Sequence, residues 1–270
     1  MSFGRRFLAF PLTRLCLAIA PIVLFVIVAT RLHVPMLAAA VFVPLLYAAY
    51  VRTVEQRRVA EFAGAGAATE LLRGFVLGAA LFSVTMLILR FAHVATFTRG
   101  DGWHALLVGL GAAVAAALVE ETLVRAIFFR IVEESLGSVI ALVASAALFG
   151  FLHAFNRGAT IVSTVAIALE AGVILAAAYL YTRRLWMAIG LHTAWNFSEG
   201  GVFGASVSGG AAHGLFATHL SGPAILSGGA FGPEASIVAV VVCLVAGVAL
   251  LVRARRLGHF RPPFWSRSGR

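Results

Sequence analysis

Long apolar runs dominate the sequence, and each is about as long as a helix that crosses a lipid bilayer. A helix rises about 1.5 Å per residue, so about 20 mostly apolar residues span the hydrocarbon core. We predict eight transmembrane helices, at residues 14–31, 35–51, 73–94, 103–130, 137–156, 159–182, 185–203 and 235–252. The sequence therefore predicts an all-α, polytopic membrane helix bundle.

The composition supports this fold class. Hydrophobic residues make up 61% of the chain and charged residues only 12%, whereas about 25% of the residues of a soluble domain are charged. The excess apolar surface must therefore face lipid. The net charge is +10, but the basic residues are all arginines that lie between apolar runs and at the termini. This distribution is typical of topology signals beside anionic lipid, and no nucleic-acid partner is predicted.

The arginines also predict the orientation of the bundle. With the N-terminus in the cytoplasm, sixteen arginines fall on the cytoplasmic side, four fall outside, and Arg125 lies within a span. Cytoplasmic loops of membrane proteins are enriched in arginine and lysine. Eight spans with both termini in the cytoplasm are therefore predicted, in a multi-pass protein of the inner (plasma) membrane.

The chain divides into four predicted segments. Residues 1–102 hold the N-terminal spans and a cytoplasmic loop, and residues 103–200 form a core that contains most of the ionisable residues within spans. Residues 201–252 contain a Gly-rich loop and the last span, and residues 253–270 form a basic cytoplasmic tail. No motif is identified in the first three spans.

Ionisable and amide side chains within spans are the candidate functional residues, because burying such groups in a membrane is costly. The fourth span contains Glu120, Glu121 and Arg125, the fifth contains His153 near its end, and the seventh contains His192 and Asn196. Residues four apart lie on one helix face, so Glu121 can reach Arg125, and His192 and Asn196 project together. Glu120 points about 100° away from Glu121. These side chains are expected at compatible depths in the bilayer, so the three helices can bring them together in one polar pocket.

Two kinds of hydrolytic chemistry fit this set. A carboxylate in an apolar pocket can act as a general base towards water, and His and Asn side chains can donate hydrogen bonds to an oxyanion. Alternatively, Glu120, His153 and His192 could bind a divalent metal such as zinc. Spacing does not decide between these. An aspartyl dyad is excluded because Asp101 is the only aspartate, and the sequence has no His-Glu-x-x-His motif.

The three motifs Glu-Glu-x-x-x-Arg, Phe-x-x-x-His and His-x-x-x-Asn, in this order on successive apolar segments, resemble those of the CPBP family. This family contains CAAX prenyl proteases and bacteriocin-processing enzymes and is also called Abi. The resemblance covers residues 103–200, and the stretch TRRLWMAIGLHTAWNF is similar to bacterial members. It implies an intramembrane endopeptidase that acts on membrane-associated or lipidated proteins.

The resemblance also implies a role for each motif residue. Glu120 and His153 would activate the attacking water, while His192 and Asn196 would stabilise the oxyanion. Glu121 and Arg125 would support the site. The prenyl endopeptidases of the family resemble glutamate-dependent enzymes that need no tightly bound metal, and we expect the same here.

Other features leave alternatives open. Glu170, within the sixth span, lines the substrate path or is a hydrogen-bonded structural acid. The Gly-rich loop at residues 200–233 is either a lid over the pocket or a flexible external loop. Glu199 and Glu234, which flank it, are expected to be solvated. A non-proteolytic immunity factor or scaffold of the same fold is one alternative function, and a proton-coupled transporter using Glu120, Glu121 and Glu170 is another. The oligomeric state is left open.

Overall fold

The computed structural model describes residues 10–211 and 213–266 and is mainly helical. Its α-helices are α1 Pro11–Arg31, α2 Met36–Thr53, α3 Ala67–Phe91, α4 Trp103–Glu121, α5 Arg130–His153, α6 Ile161–Ile167, α7 Val173–Thr182, α8 Trp186–Asn196, α9 Ala224–Ser227 and α10 Ile237–Arg256. Three π-helical segments adjoin these helices, at Thr122–Phe129, Ala168–Gly172 and Phe197–Val202. Short 3₁₀ turns lie at Pro233–Ala235 and Phe264–Ser266.

Six helical stretches in the described residues are long and apolar enough to cross a membrane: Pro11–Arg31, Met36–Thr53, Ala67–Phe91, Trp103–His153, Ile161–Thr182 and Ile237–Arg256. The prediction of a polytopic helical membrane protein is confirmed, whereas the number eight is not. The stretch from Trp103 to His153 is 51 residues long. Gly137 interrupts its helical backbone with φ of +83°, a conformation that favours glycine.

Two short strands form a sheet that the sequence analysis did not predict. Strand β1 (Ala95–Arg99) follows α3, and strand β2 (Phe216–Leu220) lies within the Gly-rich loop. They pair antiparallel, with Ala95 opposite Leu220 and Arg99 opposite Phe216. The sheet therefore ties the Gly-rich loop to the end of α3.

Helices α3 and α8 pack so closely that only glycine fits at their contact. Gly74 and Gly78 of α3 face the backbone of α8, and Gly190 of α8 faces the backbone of α3. A Cβ atom at Gly190 would overlap the carbonyl oxygen of Leu71, and one at Gly78 would overlap that of Leu191. Small residues four apart allow such close approach between membrane helices. The four-residue spacing of Gly74 and Gly78 is thus a packing signal in the third span that the sequence analysis did not identify.

Many large apolar side chains lie on the outside of the bundle. Leu24, Phe91, Leu107 and Val143 are all more than half exposed. In water such a surface would be unfavourable, since each Å² of buried apolar area is worth about 25 cal/mol. Lipid chains would cover it, in agreement with the candidate spans.

An ion-pair cluster at one end of the bundle joins three parts of the chain. The carboxylate of Glu55 lies 2.6 Å from Arg14 of α1, 2.8 Å from Arg130 of α5 and 2.7 Å from Arg57. Its side chain is only 6% exposed. These arginines were all predicted to lie on the cytoplasmic side, and the structure brings them to the same end. Arg5, Arg6, Arg267 and Arg270, which belong to the same prediction, lie outside the described residues.

Replacing Glu55 by glutamine is expected to lower thermal stability near pH 6 and to weaken its pH dependence in acid. Burial alone would raise the pKa of Glu55, but Arg130 and Arg14 lower that pKa from 4.5 to about 2. The stabilising effect is therefore complete above about pH 4.5 and is lost as the pH falls towards 2, about 3 kcal/mol in total. Thermal unfolding in detergent at a series of pH values measures this. The two proteins should converge in stability at the acid end; a constant difference would contradict the prediction.

Candidate active site

One cavity of about 200 Å³ brings together four of the predicted site residues. Glu120 from the end of α4, His153 from the end of α5, and His192 and Asn196 from α8 all line it. Glu121 and Arg125 do not line the cavity, but both are fully buried next to it. The three sequence motifs therefore converge in space, although they lie on different helices.

Glu120 faces both histidines of the cavity. Its Oε2 atom lies 4.0 Å from Nε2 of His153 and 4.0 Å from Nε2 of His192. This oxygen is buried and has no hydrogen-bond partner in the described residues, while 34% of the side chain is exposed. A distance of 4.0 Å is too long for a direct hydrogen bond, but one water about 2.8 Å from each atom can bridge it.

The backbone fixes the orientation of the His153 ring. Nδ1 of His153 lies 2.8 Å from the carbonyl oxygen of Phe149, one turn earlier in α5. A carbonyl oxygen can only accept, so Nδ1 carries the proton and donates it. In the neutral ring, Nε2 then presents its lone pair towards Glu120 and the cavity.

A buried carboxylate, that of Glu121, binds the ring of His192. Its Nδ1 donates to Oε1 of Glu121 over 2.9 Å, and the same oxygen accepts from Arg125 over 3.1 Å. Arg125 also lies 3.4 Å from the carbonyl oxygens of Ala171 and Gly172. The predicted pair of Glu121 and Arg125 is therefore present, and it positions His192.

Phe149 packs at the centre of this arrangement. The guanidinium carbon of Arg125 lies 4.5 Å from the centroid of its ring, a cation–π distance. The rings of His153 and His192 lie 4.6 Å and 6.0 Å away, centroid to centroid. The phenylalanine of the Phe-x-x-x-His motif thus packs against the buried arginine and both histidines.

The comparison with known families agrees with this geometry. Residues 102–198 match the family described as type II CAAX prenyl endopeptidase, Rce1-like. Within this segment the chain is similar to the CAAX prenyl endopeptidases. All three motifs, from Glu120 to Asn196, lie inside the matched segment, whereas α1, α2 and α3 lie outside it. Neither a curated protein nor a solved structure matches the chain.

The cavity is also lined by side chains other than the predicted site residues. Glu170, Trp195, Ser208 and Glu234 line the same cavity. Oε1 of Glu234 accepts from the backbone N–H of Ser208 over 2.8 Å and from its hydroxyl over 2.7 Å. Through Ser208 the Gly-rich loop therefore forms part of the cavity.

The expectation that Glu199 and Glu234 are solvated is wrong. Glu199 is fully buried and Glu234 is only 4% exposed. Glu199 lies in the π-helical segment that continues α8, and the turn at Pro233–Ala235 holds Glu234 against the loop. Sequence reasoning missed them because their neighbours are glycines and serines, which are typical of exposed loops. The scarcity of charged residues around them in the sequence was the available signal that they are buried.

π-Helical segments adjoin or contain several acidic residues of the site. The first begins directly after Glu121, the second contains Glu170, and the third contains Glu199 directly after Asn196. Such segments add a residue to a helical turn and occur frequently at functional sites. Among these residues, Glu170 lines the cavity, and its side-chain direction in the π-helical turn is not predicted by regular helical spacing.

In the described part of the chain, no group of three His, Cys, Asp or Glu side chains is arranged to hold a metal ion. The predicted metal ligands are Glu120, His153 and His192. The Glu120 carboxylate lies 4.0 Å from the imidazole of each histidine. Zinc ligands lie about 2.0–2.2 Å from the metal, so these side chains would have to move closer together to bind it.

Proposed function

We propose that this chain is an intramembrane endopeptidase that hydrolyses a peptide bond in membrane-associated or lipidated proteins. The observation that carries the proposal is the position of Glu120, whose free carboxylate oxygen lies 4.0 Å from Nε2 of both His153 and His192. Ionisable groups within membrane helices mark functional sites by default, and the family match supports the same reaction class.

Glu120 and His153 act together on the attacking water. A water between their facing atoms donates one hydrogen bond to Oε2 of Glu120 and one to Nε2 of His153. Either group can accept a proton as the water oxygen attacks the carbonyl carbon. The proton then passes to the leaving amine when the C–N bond breaks, so the enzyme returns to its starting state.

His192 and Asn196 stabilise the oxyanion that forms on the carbonyl oxygen. They lie one turn apart on α8 and line the same cavity. Since Nδ1 of His192 already donates to Glu121, His192 can donate from Nε2 only if both ring nitrogens carry protons. The buried carboxylate of Glu121 compensates this charge, and Arg125 holds that carboxylate in place. One hydrogen bond to an oxyanion is worth about 10²- to 10³-fold in rate.

The reaction needs no tightly bound metal in this proposal. The spacing of Glu120, His153 and His192 suits a bridging water better than a shared zinc ion. Zinc held by these three side chains is the alternative, and it would supply a bound water of lowered pKa.

The chain crosses the inner (plasma) membrane of a bacterium eight times, with both termini in the cytoplasm. The stretch from Trp103 to His153 is about twice as long as one crossing requires and is interrupted at Gly137. The helical stretch from Trp186 to Val202 is the remaining crossing. The arginines near Glu55 then lie at the cytoplasmic end, and the lysine-free composition, rich in alanine and arginine, favours a GC-rich bacterium.

Cleavage by the reconstituted full-length chain tests the proposal. Liposomes containing the protein are incubated with fluorescent, lipid-anchored peptides, with and without EDTA or phenanthroline, and products are identified by mass spectrometry. We expect a defined cut and equal rates with and without chelator. Inhibition by both chelators, reversed by zinc, would favour the metal alternative. A rate equal to that of empty liposomes for every anchored peptide would contradict the proposal and favour a scaffold.

A further inference from the structure

The acidic residues of the chain fall into two groups by their partners. All eleven lie in the described residues. Eight of them lie within 4.0 Å of an arginine or histidine: Glu55, Glu61, Glu70, Asp101, Glu120, Glu121, Glu133 and Glu134. The three without such a partner among the described residues are Glu170, Glu199 and Glu234. We call these three the acidic wall.

The acidic wall is buried and clustered. Glu170 is 2% exposed, Glu199 is fully buried and Glu234 is 4% exposed. Glu170 and Glu234 line the cavity that holds Glu120, and Glu199 interacts electrostatically with both. Glu234 lies within hydrogen-bond reach of the Glu199 side chain, and the other partners of the two cavity-lining acids are neutral. Ser208 donates to Glu234, and the Cys243 thiol lies 3.4 Å from Oε1 of Glu170.

Such a cluster is costly unless protonation or a positive group neutralises it. Like charges destabilise one another, and a buried carboxylate without a partner loses its hydration. Oε2 of Glu170 has no hydrogen-bond partner in the described residues, although it is buried and its side chain lines the cavity. A side chain that lines the cavity therefore carries a free acceptor atom.

Trp195 gives an independent indication that the cavity receives a polar ligand. It is 4% exposed and lines the cavity, yet its indole Nε1–H has no partner in the described residues. Buried donors are normally paired. The cavity of about 200 Å³ has room for about six waters, at about 30 Å³ each, which is enough for one substrate side chain.

We propose that the acidic wall is a specificity subsite that binds a basic side chain, arginine or lysine, of the substrate close to the cleaved bond. The inference rests on the proposed function and narrows its substrate class. A guanidinium or ammonium group would pair with Glu170 and Glu234 while the scissile bond lies at Glu120.

Peptide pairs that differ only in charge test this subsite. Palmitoylated octapeptides carry a single arginine at each position in turn, and each has a twin with citrulline, which keeps the shape but not the charge. Binding is measured by fluorescence anisotropy in phosphatidylcholine liposomes, where the lipid has no net charge. It is measured on Glu120→Ala, so that no substrate is consumed, and cleavage of the same pairs is measured on the wild type.

We expect at least about tenfold tighter binding of the arginine peptide at one position, and faster cleavage of that peptide. Glu170→Gln and Glu234→Gln, each added to Glu120→Ala for binding, should reduce the difference to below about twofold. Alone, they should lower cleavage of the arginine peptide towards the rate of its citrulline twin. Asp101→Asn, which removes an exposed acid away from the cavity, should keep the full difference. Glu170→Gln should also unfold at the same temperature as the wild type or higher, because a costly buried acid is removed.

The outcomes separate this inference from the proposed function. Equal binding of the arginine and citrulline peptides in every pair would overturn the subsite. A preference for arginine that neither glutamine variant reduces would also overturn it. In either case, protonation would be what neutralises the three acids. Cleavage of citrulline peptides as fast as of arginine peptides would overturn it while leaving the protease intact. Charge-dependent binding that Glu170→Gln reduces, without any cleavage by the wild type, would support the subsite and contradict the protease.

Discussion

Replacing Glu120 by alanine is expected to reduce kcat/KM for peptide cleavage by about 10²- to 10⁴-fold, the usual contribution of a general base. The carboxylate is the one acidic group that faces both cavity histidines through an unpartnered oxygen. Without it, His153 alone must accept the proton of the attacking water. The measurement is the rate of appearance of the cleavage product in liposomes, normalised to the amount of folded protein.

The fold should not change in this variant. Glu120 makes no direct hydrogen bond to the histidines, since both lie 4.0 Å away, and a third of its side chain is exposed. An unchanged thermal midpoint would therefore allow the lost rate to be interpreted as lost chemistry. Asp101→Asn removes another acidic side chain outside the cavity and should retain the wild-type rate. A Glu120→Ala enzyme within a few-fold of the wild type would contradict the assigned role.

Replacing Gly190 by alanine is expected to prevent stable assembly of the bundle, although it adds only one methyl group. The new Cβ atom would overlap the carbonyl oxygen of Leu71 in α3, and a backbone atom cannot move aside as a flexible side chain can. Overpacking typically costs 1–3 kcal/mol, and a forced separation of two helices costs more. Because α8 also carries His192 and Asn196, any folded fraction should be inactive.

Gly111→Ala is the matched control for this prediction. Gly111 also lies in a long apolar helix, but an added Cβ atom there meets no atom within 4 Å. The two variants can be compared by the monodisperse fraction in size-exclusion chromatography and by the thermal midpoint. We expect the wild-type profile for Gly111→Ala and aggregation or a strongly lowered midpoint for Gly190→Ala. Equal profiles would contradict the close contact of α3 and α8.

The meeting of the motif residues was predictable because it depends on short-range helical geometry and on the cost of polar groups in membranes. Residues four apart share a face, which is why Glu121 reaches Arg125 within one helix. Few polar side chains occur in the spans, so those that do occur have strong reasons to pair with each other. Glu120, His153 and His192 are in this position, and the structure brings them to one cavity.

The burial of the acidic wall was not predictable, because it depends on contacts between residues that lie far apart in the chain. Glu199 lies within a π-helical segment, and Glu234 precedes α10 in a Gly-rich context, where the local sequence is typical of a solvated loop. Whether such a loop covers a cavity depends on contacts far apart in the chain, such as the hydrogen bonds of Ser208 to Glu234. The pairing of β1 with β2 is equally non-local. By contrast, the close packing of α3 and α8 had a local signal in the spacing of Gly74 and Gly78.

The central claim is that Glu120 and His153 act on the same water, and a double-mutant cycle tests it most directly. The rates of wild type, Glu120→Ala, His153→Ala and the double variant are measured on one lipid-anchored peptide. Groups that act as a unit are strongly non-additive, so the double variant should be no slower than the slower single variant within about threefold. If the two losses multiply instead, Glu120 and His153 act in separate steps, and the proposed water-activating pair is contradicted.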